Sequence, residues 1–188
     1  MGTTPTYGLR YQDVTDPPNG PLLGRNLAED VEAQIKRIDA AKPPQSRRAY
    51  SVTTQTNIGT ADVASLTLSG MVFKAGWAYR ASVRGMVYGT TNAQVHFRLR
   101  KSNASGADWG EYGRVTCTGA NPGNGAMVSG SLILLRSAGT DLTTDVALVV
   151  SASTGTCYVF AGATSPRYLL LEAVGPAADY IGLGVDVT

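Results

Sequence analysis

"AQVHFRLR", residues Ala93 to Arg100, alternates along its whole length. Val95, Phe97 and Leu99 share one side, while Gln94, His96, Arg98 and Arg100 share the other. A repeat of two is the side-chain period of a pleated strand, so this segment reads as a strand with one buried and one wet face. "AYRASVRGMVY", residues 78–88, alternates in the same way, with Arg80, Ser82 and Arg84 on the wetter side. "LILL" at 132–135 and "ALVV" at 147–150 are continuous apolar runs, the pattern of strands covered on both faces.

Working outward, further strands are expected at 49–57, 63–74, 111–118, 126–136, 145–152, 157–162 and 167–174. Turn-rich stretches such as "KSNASGADWG" and "TGANPGNGA" separate them. Short strands at this spacing, with no helical pattern between them, predict a mainly β chain. The expected body is an antiparallel, jelly-roll-like β-sandwich head over residues 49–175.

The N-terminal quarter follows other rules. Residues 1–22 hold Pro5, Pro17, Pro18 and Pro21, which rule out a continuous helix or a central strand. They also carry Tyr7, Leu9, Tyr11, Val14 and Leu22, more apolar surface than a free tail needs. An extended attachment arm docked on a partner through these five residues is expected. Residues 23–42 read as one helix, with Asn26 as N-cap and Glu29 completing a capping box. Glu29, Asp30 and Glu32 are placed early, and Lys36, Arg37 and Lys42 late, as the helix dipole favours. Ala28, Val31, Ile35 and Ile38 form a narrow seam of the coiled-coil kind. An isolated helix of this length is marginal in water, so the seam needs a cover. Self-association through Val31, Ile35 and Ile38 and packing on the chain's own sandwich are the two alternatives. β-branched residues along the seam favour three strands or more. Pro43 and Pro44 end the helix and open a linker over 43–48, and residues 176–188 form a C-terminal tail.

Composition narrows the function. Hydrophobic residues make up 43% and charged ones 16%, which leaves surface to bury against partners. A net charge of +2 gives no electrostatic case for nucleic acid. No apolar run approaches a membrane span, and "MGTTPTYGLRYQDV" lacks the pattern of a signal peptide. Cys117 and Cys157 are expected as buried free thiols.

Chemistry is sparse. His96 sits mid-strand with no Cys or carboxylate close in sequence to complete a metal set, and is expected solvated or at an interface. The glycines of "GANPGNGA" open no helix and precede no Gly-Lys-Ser/Thr, so they do not form a phosphate loop. Asp62, Asp108, Glu111, Asp141, Asp145, Glu172, Asp179 and Asp186 lie mostly in loops or at strand ends, and no pair stands out for hydrolysis. No enzyme, cofactor or metal is expected. Trp77, Trp109, Tyr112 and Tyr88 fall at or near strand ends and loops, where they either stack on a glycan or anchor an interface, or belong to the core and its rim. Trp77, Trp109 and Tyr112 are the expected glycan contacts.

The opening "TTPTYGLRYQDVTDPPNGPLLGRNLAEDVEAQIKRID" resembles the N-terminal segment of small virion proteins of tailed bacteriophages, especially those of actinobacteria. There a Tyr-Gly-Leu stretch and a "D-P" turn lead into an Ala/Leu/Ile helix. "SPRYLLLEAVGPA", residues 165–177, is similar to the closing strand of their β-sandwich. The resemblance implies a homotrimer with an arm that attaches to the particle, a short helical bundle and a projecting head. It implies a capsid decoration or head-fibre protein bound to the major capsid protein. A minor tail protein, or a carbohydrate-binding module that touches host glycan, is the alternative. It also implies a C-terminal strand, within "AADYIGLGVDVT", that pairs with a neighbouring subunit, and a product made in host cytoplasm and carried on the virion.

Overall fold

The computed structural model describes residues 2–3, 9–11, 20–44 and 46–188. The chain divides into two compact units, Met1–Pro43 and Pro44–Thr188. In the first, β1 (Gly2–Thr3) pairs antiparallel with β2 (Arg10–Tyr11), and α1 spans Gly20–Ala41.

The second unit is a two-sheet antiparallel sandwich. Its strands are β3 (Arg47–Ser51), β4 (Gln55–Ile58), β5 (Val63–Phe73), β6 (Trp77–Gly89), β7 (Gln94–Lys101) and β8 (Asp108–Thr116). They continue as β9 (Ala126–Arg136), β10 (Leu142–Ala152), β11 (Cys157–Phe160), β12 (Arg167–Pro176) and β13 (Val185–Asp186). One sheet runs β5-β10-β7-β8. In the other, β6 is the hub: β9 lies along one side, and β12 and β11 share the other, extended by β3 and β4. The chain passes repeatedly between sheets, as in jelly rolls, so neighbours in space are seldom neighbours in sequence.

The alternation at 93–100 is realised directly. Val95, Phe97 and Leu99 are buried in the core, which Phe73, Tyr79 and Trp109 anchor. Phe73 meets the other two edge to face at 5.0 and 5.6 Å between ring centres. β10 is buried on both faces from Val146 to Ala152, as its apolar run requires. The expected strand at 49–57 is instead two, broken between Ser51 and Gln55. The C-terminal tail pairs within its own chain: β13 adds to β9 through Val185↔Leu134 and Asp186↔Leu135, in parallel. This corrects the expectation of a strand lent to a neighbour. Leu134 and Leu135 belong to a strand whose free side at that point is the one β13 covers.

Cys117 and Cys157 are both free and buried, and the fold brings their sulfurs to 3.6 Å. Gly89 makes room for this approach, since a Cβ there would stand 2.6 Å from the Thr156 carbonyl oxygen and 2.7 Å from the Cys157 Cα. Burial, with the neighbouring thiol, pushes Cys117 up to about 12. The native thiol therefore stays protonated where an unfolded one ionises. The unfolded state binds fewer protons above pH ~9, so stability falls as pH rises from there, at roughly 1.4 kcal/mol per unit. We expect native protein to resist an aromatic disulfide reagent at pH 8 and to release both thiols in urea. Rapid modification of folded protein would contradict this burial.

Candidate functional site

In the first unit, α1 begins at Gly20, earlier than the expected start at 23. Proline is tolerated in a first turn, where its missing N–H has no helical acceptor, so Pro21 opens the helix instead of blocking it. Asn26 is thus an interior residue and not the N-cap, and the first turn holds no acidic residue and the last no basic one. Leu22, expected in the arm, lies in the helix and is exposed.

Of the other arm residues, Tyr7 and Val14 and the side chain of Tyr11 lie outside the described residues. Leu9 is half-buried. Beside it, Arg10 is fastened to the chain's own helix. Its amide donates to Asp30 Oδ2 at 2.7 Å, its Nε to the same carboxylate at 2.9 Å, and its Nη2 to the Asn26 carbonyl at 3.1 Å. The Arg10 hydrogen bonds hold Asp30 below the usual carboxylate range.

The seam lies on the far side. At 100° per residue, Leu27, Val31, Ile35 and Ile38 fall within an arc of roughly 80°, centred roughly 120° from the Asn26–Asp30 face. All four are exposed, with Ile35 at 54% and Ile38 at 63%. Leu27 joins the seam that the spacing marked through Ala28.

In the sandwich, titratable groups gather on the outer face of the four-stranded sheet. Asp62 receives Arg98 at 2.9 Å and Arg100 at 2.7 Å. His96 Nδ1 lies 3.2 Å from Glu111, which also pairs with Arg114. His96 is therefore a partnered, largely covered residue, not a solvated one. Cross-strand register places it opposite Arg114, and a bulge between β7 and β8 brings Glu111 within reach. The Arg114 hydrogen bond, with His96 adding to it, holds Glu111 below its ordinary pKa against the opposing effect of burial. A carboxylate held ionised this way is a poor proton donor. Its cluster instead forms a lid: Arg98 and Arg100 stand beside Val149 and Ala147 and cover the outer side of β10.

Other carboxylates hold loops. Asp145 accepts from the Gly70 amide at 2.8 Å, Asp141 from Ala75 at 2.9 Å, and Asp186 from Ser137 at 3.1 Å. Among the described residues no group of three or more His, Cys, Asp or Glu is placed to hold a metal, and no helix is long and apolar enough to cross a membrane.

Of the candidate aromatics, Trp77, Trp109 and Tyr112 do not form a stacking surface. Trp109 is 2% exposed and packs on Phe73, because the β8 alternation turns it inward. Tyr112 reaches across the sandwich, where its hydroxyl accepts from the Val83 amide at 2.7 Å. Burial pushes that hydroxyl up to about 12. Trp77 is half-buried against the same core.

One structural residue escaped the sequence reading. Arg167 is buried, and its guanidinium donates to the carbonyls of Thr53 (2.8 Å), Val159 (3.2 Å) and Ser65 (3.3 Å). Its parity with Leu169 and Leu171 was the available signal, since all three share the inward side of β12.

No protein-family model matches the sequence, and no curated protein matches it. Among solved structures, the chain is similar to the VP2 subviral particle of infectious bursal disease virus, at 8% identity and TM-score 0.42, over 72% of this chain and 39% of that one. It thus spans about two-fifths of that viral chain's length. It is also similar to the C-terminal CBM6 of a laminarinase from Zobellia galactanivorans, at 12% identity and TM-score 0.35, over 68% and 99% of the two chains. A third likeness is CsCBM6-3 from Clostridium stercorarium in complex with cellobiose, at 18% identity and TM-score 0.33, over 70% and 93%. At these identities and scores the likeness assigns no function.

Proposed function

We propose that this chain is a non-enzymatic virion structural protein, a homotrimer that decorates a phage capsid. The supporting observation is the bare helical seam of Leu27, Val31, Ile35 and Ile38, opposite the face that Arg10 occupies. An apolar stripe left in water on a helix of about six turns is stable when copies of it close on one another. Three chains joined this way bind a particle far more tightly than one, because the second and third arms attach at high effective concentration. The N-terminal segment carrying Tyr7, Leu9, Tyr11 and Val14 supplies the arm, and the major capsid protein is its partner.

The test is labelling of intact virions with a gold-tagged antibody raised against the sandwich, viewed by electron microscopy. Gold spread over the capsid is the expected result. Gold confined to the tail would replace this reading with a minor tail protein, and unlabelled virions would end it.

A further inference from the structure

The outer face of the β6-centred sheet carries an aromatic surface to which one of the candidate aromatics, Tyr88, belongs. Inward positions on β6, β11 and β12 are Val83, Val87, Val159, Leu169 and Leu171, all buried. The alternate positions face out. Cross-strand register aligns them in rows: Tyr88 with Tyr158, then Met127 with Met86 and Phe160, then Arg84 with Tyr168 and Tyr50. Tyr88 and Tyr158 are stacked ring on ring, 4.9 Å between centres and 9° from parallel. Tyr50 is 60% exposed, and the Arg48 guanidinium lies 5.1 Å over its ring.

Size and charge select the occupant. The rows span roughly 13 Å along the strands and 14 Å across them. That is a few hundred Å² at most, against about 800 Å² per partner in a stable protein interface. Arg80 is neutralised by Glu172 at 3.2 Å, but among the described residues neither Arg48 nor Arg84 has a carboxylate partner. A small aromatic surface beside two guanidiniums without carboxylate partners matches a ligand whose rings pack their C–H groups on aromatic side chains and whose substituents are anionic. We infer that this face binds an acidic polysaccharide, a chain of sugar rings bearing carboxylates. The inference does not depend on whether the chain is carried on a virion.

The test is affinity electrophoresis of the full chain through gels containing polygalacturonate, hyaluronate or neutral dextran at 0.15 M salt. The acidic polymers are expected to retard it and dextran is not. Tyr158→Ala and Arg84→Gln should each weaken retardation about tenfold, or 1.4 kcal/mol. Arg37→Gln, an equal change of net charge on the helix, should leave it unchanged. Circular dichroism checks that each variant is folded, and exposed Arg84 supplies a variant that removes no buried contact. Absence of retardation by both acidic polymers would overturn the inference. So would equal retardation of wild type and Arg84→Gln, or retardation by dextran alone.

Discussion

Chains carrying Ile35→Asp together with Ile38→Asp are expected to sediment as monomers where the parent sediments at three times the chain mass. Burying one isoleucine is worth roughly 1.5–3 kcal/mol, and a three-chain bundle buries six of them at these two positions. The substitution removes that gain and places carboxylates around a shared axis, where like charges repel and desolvation disfavours each. The sandwich has its own core, so its thermal transition should persist in the monomeric variant. A variant that remains trimeric would move the association surface off the helix. A parent that is already monomeric would remove the trimer from the proposal altogether.

The second large effect belongs to Arg167. Three carbonyls from separate segments accept from this one guanidinium, and among the described residues it has no carboxylate partner; burial pulls its pKa down. Arg167→Met keeps most of the volume but removes all three of these hydrogen bonds. Each lost bond to a charged group costs about 1.5–3 kcal/mol, so a loss of at least about 3 kcal/mol is expected. For a sandwich of this size that lowers the melting temperature by roughly 10 °C. Arg167→Lys should recover less than half, because one ammonium on a flexible stem does not span a planar three-way contact. Urea melts of the three proteins measure this directly. A Met variant as stable as the parent would show that the carbonyls find other donors.

The sandwich was legible because its strands alternate: Val95, Phe97 and Leu99 declare an inner face without help from any other segment. The both-faces burial of β10 was legible from "ALVV" for the same reason. What pairs with what was not. The contact between His96 and Glu111 depends on bulged register between β7 and β8, and bulges leave little trace in a single sequence. The aromatic face was hidden likewise, because Tyr50, Tyr88, Tyr158 and Tyr168 meet only once β3, β6, β11 and β12 are aligned. Trp109 and Tyr112 drew notice as large residues near loops, yet size near a loop says nothing about facing. The helix was legible in its seam and misplaced in its start, since a proline usually read as a stop was acting as an opener.

The position of β3 has a consequence for how the molecule is made. Among the described residues this first strand of the sandwich pairs with β12 alone, and Tyr50 waits for Tyr168, more than a hundred residues later in synthesis. Until β12 emerges, both the β3 edge and the adjoining edge of β6 lack their partner along Trp77–Arg84. A ribosome-bound chain therefore holds open edges until β12 is made, the condition in which β chains are most prone to pair wrongly. The sheet closes only when β12 arrives. Products that stop short of β12 keep both of these sheet edges open.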